Sequence, residues 1–351
     1  MKKRLAMSND PHKKDHWFRD MMVHGSAFSP LLILAIIAIL AGALLPIISQ
    51  LKKWTTPAES LVIYCAQDQA FAEPLLKSFE QQTGVKVRPV FDSEAVKTVG
   101  LANRLLAERE HPQADVFWGN EELRTRQLAA RDVFRPTNAW AAFGYRSRRL
   151  VINTNLLPLA APSSILNPPS SPPACLLELT NARWRGKVAL AYPMFGTTAT
   201  HFLALRRAWG EANWLAWCRA LAANKPFLDE GNSLVVKRVA RGEAWVGLTD
   251  SDDIAAGQRE GLPVAALPLT PEMLLIPNTV AVTRGSPHLE SAQRFFDWLR
   301  RPEVVRQLVT AGALEGTSAA EVPSPTLQPD WPGLLRDLET GTAQMKEIFL
   351  R

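Results

Sequence analysis

Ala244-Trp-Val-Gly-Leu-Thr-Asp-Ser-Asp-Asp253 is an apolar run that turns acidic without a break. An apolar strand followed by a polar turn and a helix start puts polar side chains at the carboxyl edge of a sheet, where open α/β proteins hold their ligands. Two readings stand side by side. Asp250, Asp252 and Asp253 together offer oxygen ligands to a cation. Equally, Asp250 or Ser251 caps a helix through Asp253-Ile-Ala-Ala-Gly257, with the acids at its positive end.

The pattern around this stretch repeats the same unit. Apolar runs that read as strands are Leu61–Tyr64, Val85–Arg88, Asp115–Trp118, Leu150–Asn153, Lys187–Leu190, Trp245–Leu248 and Thr279–Thr283. Between them, Phe71–Gln82 and Val96–Glu110 carry apolar residues at helical spacing, and Thr83-Gly84 supplies a glycine suited to a helix C-cap. Strands alternating with helices predict parallel α/β layers. Six prolines between Pro158 and Pro173 make a stiff connector after a crossover strand, and a second crossing is expected at Asn278–Thr283. Leu289–Leu299 and Val304–Gly312 read as helices, Pro323–Pro332 as a loop, and Gly333–Leu350 as a last helix.

Toward the amino terminus the composition changes. Residues 31 to 48 carry no charge, and as a helix would span roughly 27 Å, close to a bilayer's hydrocarbon thickness. Lys2, Lys3, Arg4, Lys13, Lys14 and Arg19 precede the segment, while only Lys52 and Lys53 follow it closely. That bias predicts a cytoplasmic basic tail (1–30), a transmembrane anchor or long signal segment (31–49) and an exported remainder, periplasmic or extracellular. Ala41-Gly-Ala43 also resembles a cleavage site, so anchor and cleaved leader both stand. The net charge of +6 is concentrated here: residues 1 to 54 hold eight Lys/Arg and three Asp. The exported part is nearly neutral, so nucleic acid is not an implied partner. Cys65, Cys175 and Cys218 are odd in number and widely spread, which speaks against a disulfide framework and a cysteine metal site.

From about Ser60 to Gly312 the chain resembles the type 2 periplasmic solute-binding proteins of ABC importers, in the branch containing ferric-ion-binding proteins. The pieces that carry the resemblance are Tyr64-Cys-Ala-Gln-Asp-Gln69, Phe79-Glu-Gln-Gln-Thr-Gly-Val-Lys-Val87, Gln113-Ala-Asp-Val-Phe-Trp118, Trp184-Arg-Gly-Lys187, Pro193-Met-Phe-Gly-Thr-Thr198 and Asn278-Thr-Val-Ala281, in this order and spacing. The resemblance implies an α/β, two-lobed fold behind the anchor, with lobe 1 formed by 58–150 and 279–316 and lobe 2 by 151–278 and 317–351. It implies a cleft that closes on one small ligand and delivers it to permease and ATPase subunits, with no cofactor required.

The same resemblance places ligand contacts on Asp68, Asn120, Glu121, Gly196, Thr197, Asn232, Asp250, Asp252 and Asp253, with Asp68, Asp252 and Asp253 as the metal candidates. Where the iron binders carry adjacent tyrosines, this chain carries Asp252 and Asp253, and its three tyrosines, Tyr64, Tyr145 and Tyr192, are scattered. Carboxylates still suit a hard cation. Asp68 facing Asp252 and Asp253 would concentrate like charge and favour an open empty cleft.

Plainer readings accompany each position. Gly196-Thr197 and Asn232-Ser233 also fit ordinary helix caps, His201 reads as structural, Trp118 and Phe195 as core, and Asp92 and Glu94 as loop acids of second rank. The ligand stays open between a metal cation with a companion anion and a cationic or zwitterionic organic solute such as an amino-phosphonate or polyamine. A membrane-tethered ligand sensor is the alternative role. A hydrolase is disfavoured, because no G-x-S-x-G elbow, H-E-x-x-H or P-loop is present.

Overall fold

The computed structural model describes residues 60–92, 97–137, 140–158, 171–319 and 326–350. The basic tail, the 31–49 segment, most of the proline connector and Glu94 therefore lie outside the described residues. Among the described residues no helix is long and apolar enough to cross a membrane.

β1 (Ser60–Cys65), α1 (Gln69–Thr83), β2 (Lys86–Val90), α2 (Lys97–Ala107), β3 (Val116–Gly119) and α3 (Glu122–Ala130) come first. β4 (Trp140–Asn153), β5 (Val188–Ala191), α4 (Gly196–Trp209), α5 (Glu211–Ala223), β6 (Phe227–Asp229), α6 (Asn232–Ala240), β7 (Val246–Asp250), α7 (Ser251–Arg259) and β8 (Val264–Ala266) follow. The chain then returns through β9 (Leu275–Val282), α8 (Leu289–Leu299), α9 (Pro302–Ala311) and α10 (Trp331–Phe349). α1 forms because Ala72, Leu75, Leu76 and Phe79 fall on one buried face, and it stops at Gly84, whose φ of 75° only glycine adopts cheaply.

The strands lie in the order β2-β1-β3-β9-β4-β7-β5-β6, with β8 beside β4. β1, β2 and β3 are mutually parallel, as are β5, β6 and β7, but β4 and β9 run antiparallel to their neighbours. The expected parallel layers are thus interrupted by the two crossing strands. β4 is the longer of them. Its Trp140–Ser147 stretch pairs β9, and its Arg148–Ile152 stretch pairs β7. The register slips at Gly144, where φ is 55° and an added Cβ would strike Leu314, so this bulge needs glycine.

Each half of the sheet is covered on both faces. Leu61, Ile63, Phe79, Trp118, Phe295 and Trp298 fill one face of the first half, while Tyr64, Leu101, Phe117 and Phe134 fill the other. In the second half Leu190, Phe202, Trp214, Trp217 and Leu248 oppose Val151, Val235, Val239 and Ile254. Trp118 belongs to the core, and Phe195 packs against the core of the second half. The last helix starts at Trp331, not Gly333. Pro332 sits in the first turn, where no amide hydrogen is needed, and the Gly333 amide donates to Asp330 Oδ1 at 3.1 Å.

Candidate functional site

Five helices start where strands end: α1 after Asp68, α3 after Glu121, α4 at Gly196, α6 at Asn232 and α7 after Asp250. Asp250, Asp252 and Asp253 each place a carboxylate oxygen so that the three lie within 4.8 Å of one another. Two residues absent from the expected site sit among them. Arg146 and Arg148 lie two apart on β4 and so share a face of the strand, and both are buried, at 3% and 0% exposure.

The Arg148 guanidinium donates through Nη1 to Asp250 Oδ1 at 2.6 Å and to Asn232 Oδ1 at 2.9 Å. Asp250 Oδ2 accepts from the Thr197 hydroxyl at 2.7 Å and from Asn232 Nδ2 at 3.1 Å. Both oxygens of Asp250 are therefore held by the protein. This explains why Asp250, although it stands at the N-cap of α7, makes no side-chain cap bond. Burial pushes its pKa up, but Arg148 and then Arg146 outweigh this and hold it below the usual range.

Asp252 is placed differently. Its Oδ2 accepts from Arg146 Nη1 at 2.8 Å, and its Oδ1, buried, has no hydrogen-bond partner among the described residues. Burial, Asp250 and Asp68 together outweigh Arg146, so this carboxyl is pushed up to about 6. Asp253 and Asp68 are half-buried, and both raise the proton affinity of Arg146. Arg146 also reaches across the sheet, donating through Nη2 to the Asn120 carbonyl at 3.1 Å. Two guanidiniums accompany the acids: Arg146 lies 2.8 Å from Asp252 and 3.5 Å from Asp250, and Arg148 lies 2.6 Å from Asp250, so the like charge expected there is partly offset.

Glu121 is a helix cap. Its carboxylate accepts from the Leu123 and Arg124 amides at 2.7 and 3.0 Å and from the Thr200 hydroxyl at 3.0 Å, joining α3 to α4, while burial raises its pKa. The amide of Asn232 serves Asp250 and does not cap α6, whose N-cap is Gly231. Gly196 has φ of 53° and opens α4 beneath Phe195, which supplies no side-chain cap. His201 is structural: it is fully buried, its Nε2 lies 2.6 Å from the Glu272 carbonyl, and burial with Arg148 nearby lowers its pKa to about 3. The signal that would have found the arginines is Tyr145-Arg-Ser-Arg-Arg149 running into Leu-Val-Ile, since charges alternating inside a buried strand require partners.

A sheet in two parallel halves, crossed by two antiparallel strands and carrying a buried polar site at its helix starts, defines a binding protein of the periplasmic-binding-protein kind. The chain belongs to the bacterial extracellular solute-binding protein family, whose pattern matches residues 61–313. It is 27% identical over 283 residues to an Fe(3+)-binding periplasmic protein of Serratia marcescens, covering 76% of this chain and 81% of that protein. Its fold is similar to iron-bound HitA of Pseudomonas aeruginosa, with TM-score 0.69, 18% identity, and coverage of 83% of this chain and 99% of HitA. It is similar too to AfuA of Actinobacillus pleuropneumoniae with fructose-6-phosphate bound, with TM-score 0.70, 20% identity, and coverage of 84% and 99%.

Proposed function

We propose that this protein is the receptor of an ABC importer and captures a small cation between two lobes, 58–150 with 279–316 and 151–278 with 317–351. Asp68, Asp252 and Asp253 supply the ligand oxygens, and Asp250, Thr197 and Asn232 hold the Arg148 side of the cleft in place. The observation that carries this reading is Asp252 Oδ1, a buried carboxylate oxygen without a partner beside two further carboxylates. A cation satisfies that oxygen directly. The protein does no covalent chemistry, works outside the cytoplasmic membrane to which residues 31–49 attach it, and hands its cargo to permease and ATPase subunits. The relationship to an Fe(3+)-binding periplasmic protein supports a metal as cargo.

The test is metal content and thermal shift of the full-length protein in detergent after chelator stripping. A single bound metal ion per chain, lost in Asp252→Asn, supports the reading, and melting curves that no metal moves defeat it. A zwitterionic solute such as an amino-phosphonate is a second reading, favoured by the α4 start at Gly196, which has no side-chain cap and can take an anionic group while the aspartates take an amine. Phosphonate-bearing amines in the same assay separate the two.

A further inference from the structure

Resting on the two-lobed receptor reading, we propose that Arg126, held over the rings of Trp140 and Trp331, is a positioning residue that clasps the two halves of the protein together and so sets how readily the cleft opens. Trp140 begins β4, where it pairs Ala281 of β9 beside the first parallel half. Trp331 begins α10, whose Leu334, Leu338, Met345 and Phe349 are buried in the core of the second half and whose Asp337 pairs Arg206 of α4 at 2.6 Å. The guanidinium carbon of Arg126 lies over the Trp140 ring at 5.0 Å from its centroid and over the Trp331 ring at 5.2 Å. One cation thus meets an indole from each half, and the negative face of each ring attracts it.

Arg126 is aimed by its own helix. Its Nε donates to Oε1 of the buried Glu122, one turn earlier on α3, at 2.7 Å. At the start of α3, Glu121 accepts from the Thr200 hydroxyl of α4 at 3.0 Å and Leu123 lies in the core of the second half, whereas Leu128 lies in the core of the first. α3 is therefore the helix along which the halves meet. Movement of the halves about β4 and β9 carries Arg126 away from Trp331 but leaves it on Trp140, which rides with the first half. Farther along, Gln127, Ala130 and Arg131 of α3 and Leu335, Leu338 and Glu339 of α10 line a gap of about 120 Å³. A seam that keeps a gap with polar side chains in its walls is looser than a close-packed core, so it can part and close again. Arg126, Trp140 and Trp331 stand outside the acidic site, so their effect on binding runs through closure.

Distance measurement between spin labels at Lys77→Cys on α1 and Ala216→Cys on α5, both exposed positions, tests this in the full-length, chelator-stripped protein. Cys175→Ser removes the partly exposed native thiol, and Cys65 and Cys218 are buried. Trp331→Ala and Arg126→Gln should each raise the ratio of separated to closed molecules about tenfold, the equivalent of about 1.4 kcal/mol. Trp331→Phe keeps a ring face for the cation and should stay within about threefold of the unmodified protein. A distance distribution that neither Trp331→Ala nor Arg126→Gln moves would overturn the clasp. A lower urea midpoint without a change in distance would mark these as structural contacts and overturn it as well. Arg126→Gln decides the matter where Trp331→Ala does not fold. The receptor reading stands or falls separately, on metal content and thermal shift, because the distance measurement uses no ligand.

Discussion

Asp250 and Asp252 stand two residues apart at the same strand-to-helix turn, yet the protein holds both carboxylate oxygens of the first and only one of the second. Asp250 accepts from Arg148, Thr197 and Asn232, so every oxygen lone pair that matters is used inside the protein. Asp252 spends one oxygen on Arg146 and keeps the other buried and, among the described residues, unpaired. The difference arises from where the turn lies. Asp250 is still in β7 and faces Arg148 in register, whereas Asp252 is in the first turn of α7 and meets Arg146, two residues earlier on β4. A carboxylate whose needs are met stabilises the fold; one whose needs are half met waits for a partner.

The largest test of that contrast is Asp250→Ala. It leaves the Arg148 guanidinium buried without its carboxylate, and breaking a buried pair on one side typically costs about 3–5 kcal/mol. Urea unfolding should show a loss of this order, with the cleft lost as well. Asp252→Asn should cost less, because Arg146 keeps Asp250 at 3.5 Å and the asparagine oxygen can still accept from its Nη1. If both substitutions destabilise equally, the distinction between scaffold and site fails.

The next effect is on binding. At a free ion concentration 100 times Kd, a cation stabilises the native state by about 2.7 kcal/mol, and Asp252→Asn should erase that shift. The ion needs Asp252 ionised, so affinity should be level above about pH 6 and fall roughly tenfold per unit below it. Ion uptake near pH 6 should release a proton, visible as a buffer-dependent heat. Without ion, the sign reverses for stability: a carboxyl raised from 3.8 to about 6 in the folded state contributes stability at low pH that is lost as pH rises through 6.

How much of this was legible beforehand depends on how strongly each element was periodic. Leu289–Leu299 was readable to the residue, because Phe295, Phe296, Trp298 and Leu299 repeat on one strongly amphipathic face. β4 was read only as Leu150–Asn153, although it begins at Trp140. Arginines at 146, 148 and 149 break the apolar pattern, since a strand's burial cannot be inferred from side chains whose partners lie more than one hundred residues away, as Asp250 and Asp252 do. Missing that strand meant missing both guanidiniums. α5 was missed although Trp214, Trp217, Cys218 and Leu221 repeat at helical spacing on one buried face, because Ala212, Ala216, Ala220 and Ala223 on its exposed side blur the stripe in the sequence. The acids of the site were legible as acids. Their division into held and unheld oxygens exists only once β4 is laid beside β7.

His201 sharpens the comparison from the Asp250 side, because it is packed near Arg148 and shares its burial. Its pKa is depressed from 6.5 to about 3, so it contributes stability above pH 6.5 that is lost as pH falls toward 3. Between pH 6.5 and 5 that loss is roughly 2 kcal/mol at 1.36 kcal/mol per unit. His201→Gln keeps a donor for the Glu272 carbonyl and removes the titration, so the acid limb of a stability profile should flatten over that interval. An unchanged limb would mean that another group sets it.

The smallest expected effect is at Glu121, which behaves like Asp250 in being fully engaged, but through amides and a hydroxyl in place of a guanidinium. Glu121→Gln retains one acceptor oxygen, which in the place of Oε2 still takes the Leu123 amide and the Thr200 hydroxyl and gives up only the Arg124 amide. Arg124 loses a nearby counter-charge but is only half-buried and makes no salt bridge to Glu121 at close range, so the cost should stay near about 1 kcal/mol, as for other N-cap changes. Burial raises the pKa of Glu121, which reduces the loss further, since the neutral amide avoids the desolvation that the carboxylate bears. Cation affinity should be unchanged in this variant if Glu121 is scaffold. A drop comparable with that of Asp252→Asn would move Glu121 into the ligand set and add its charge to the cleft.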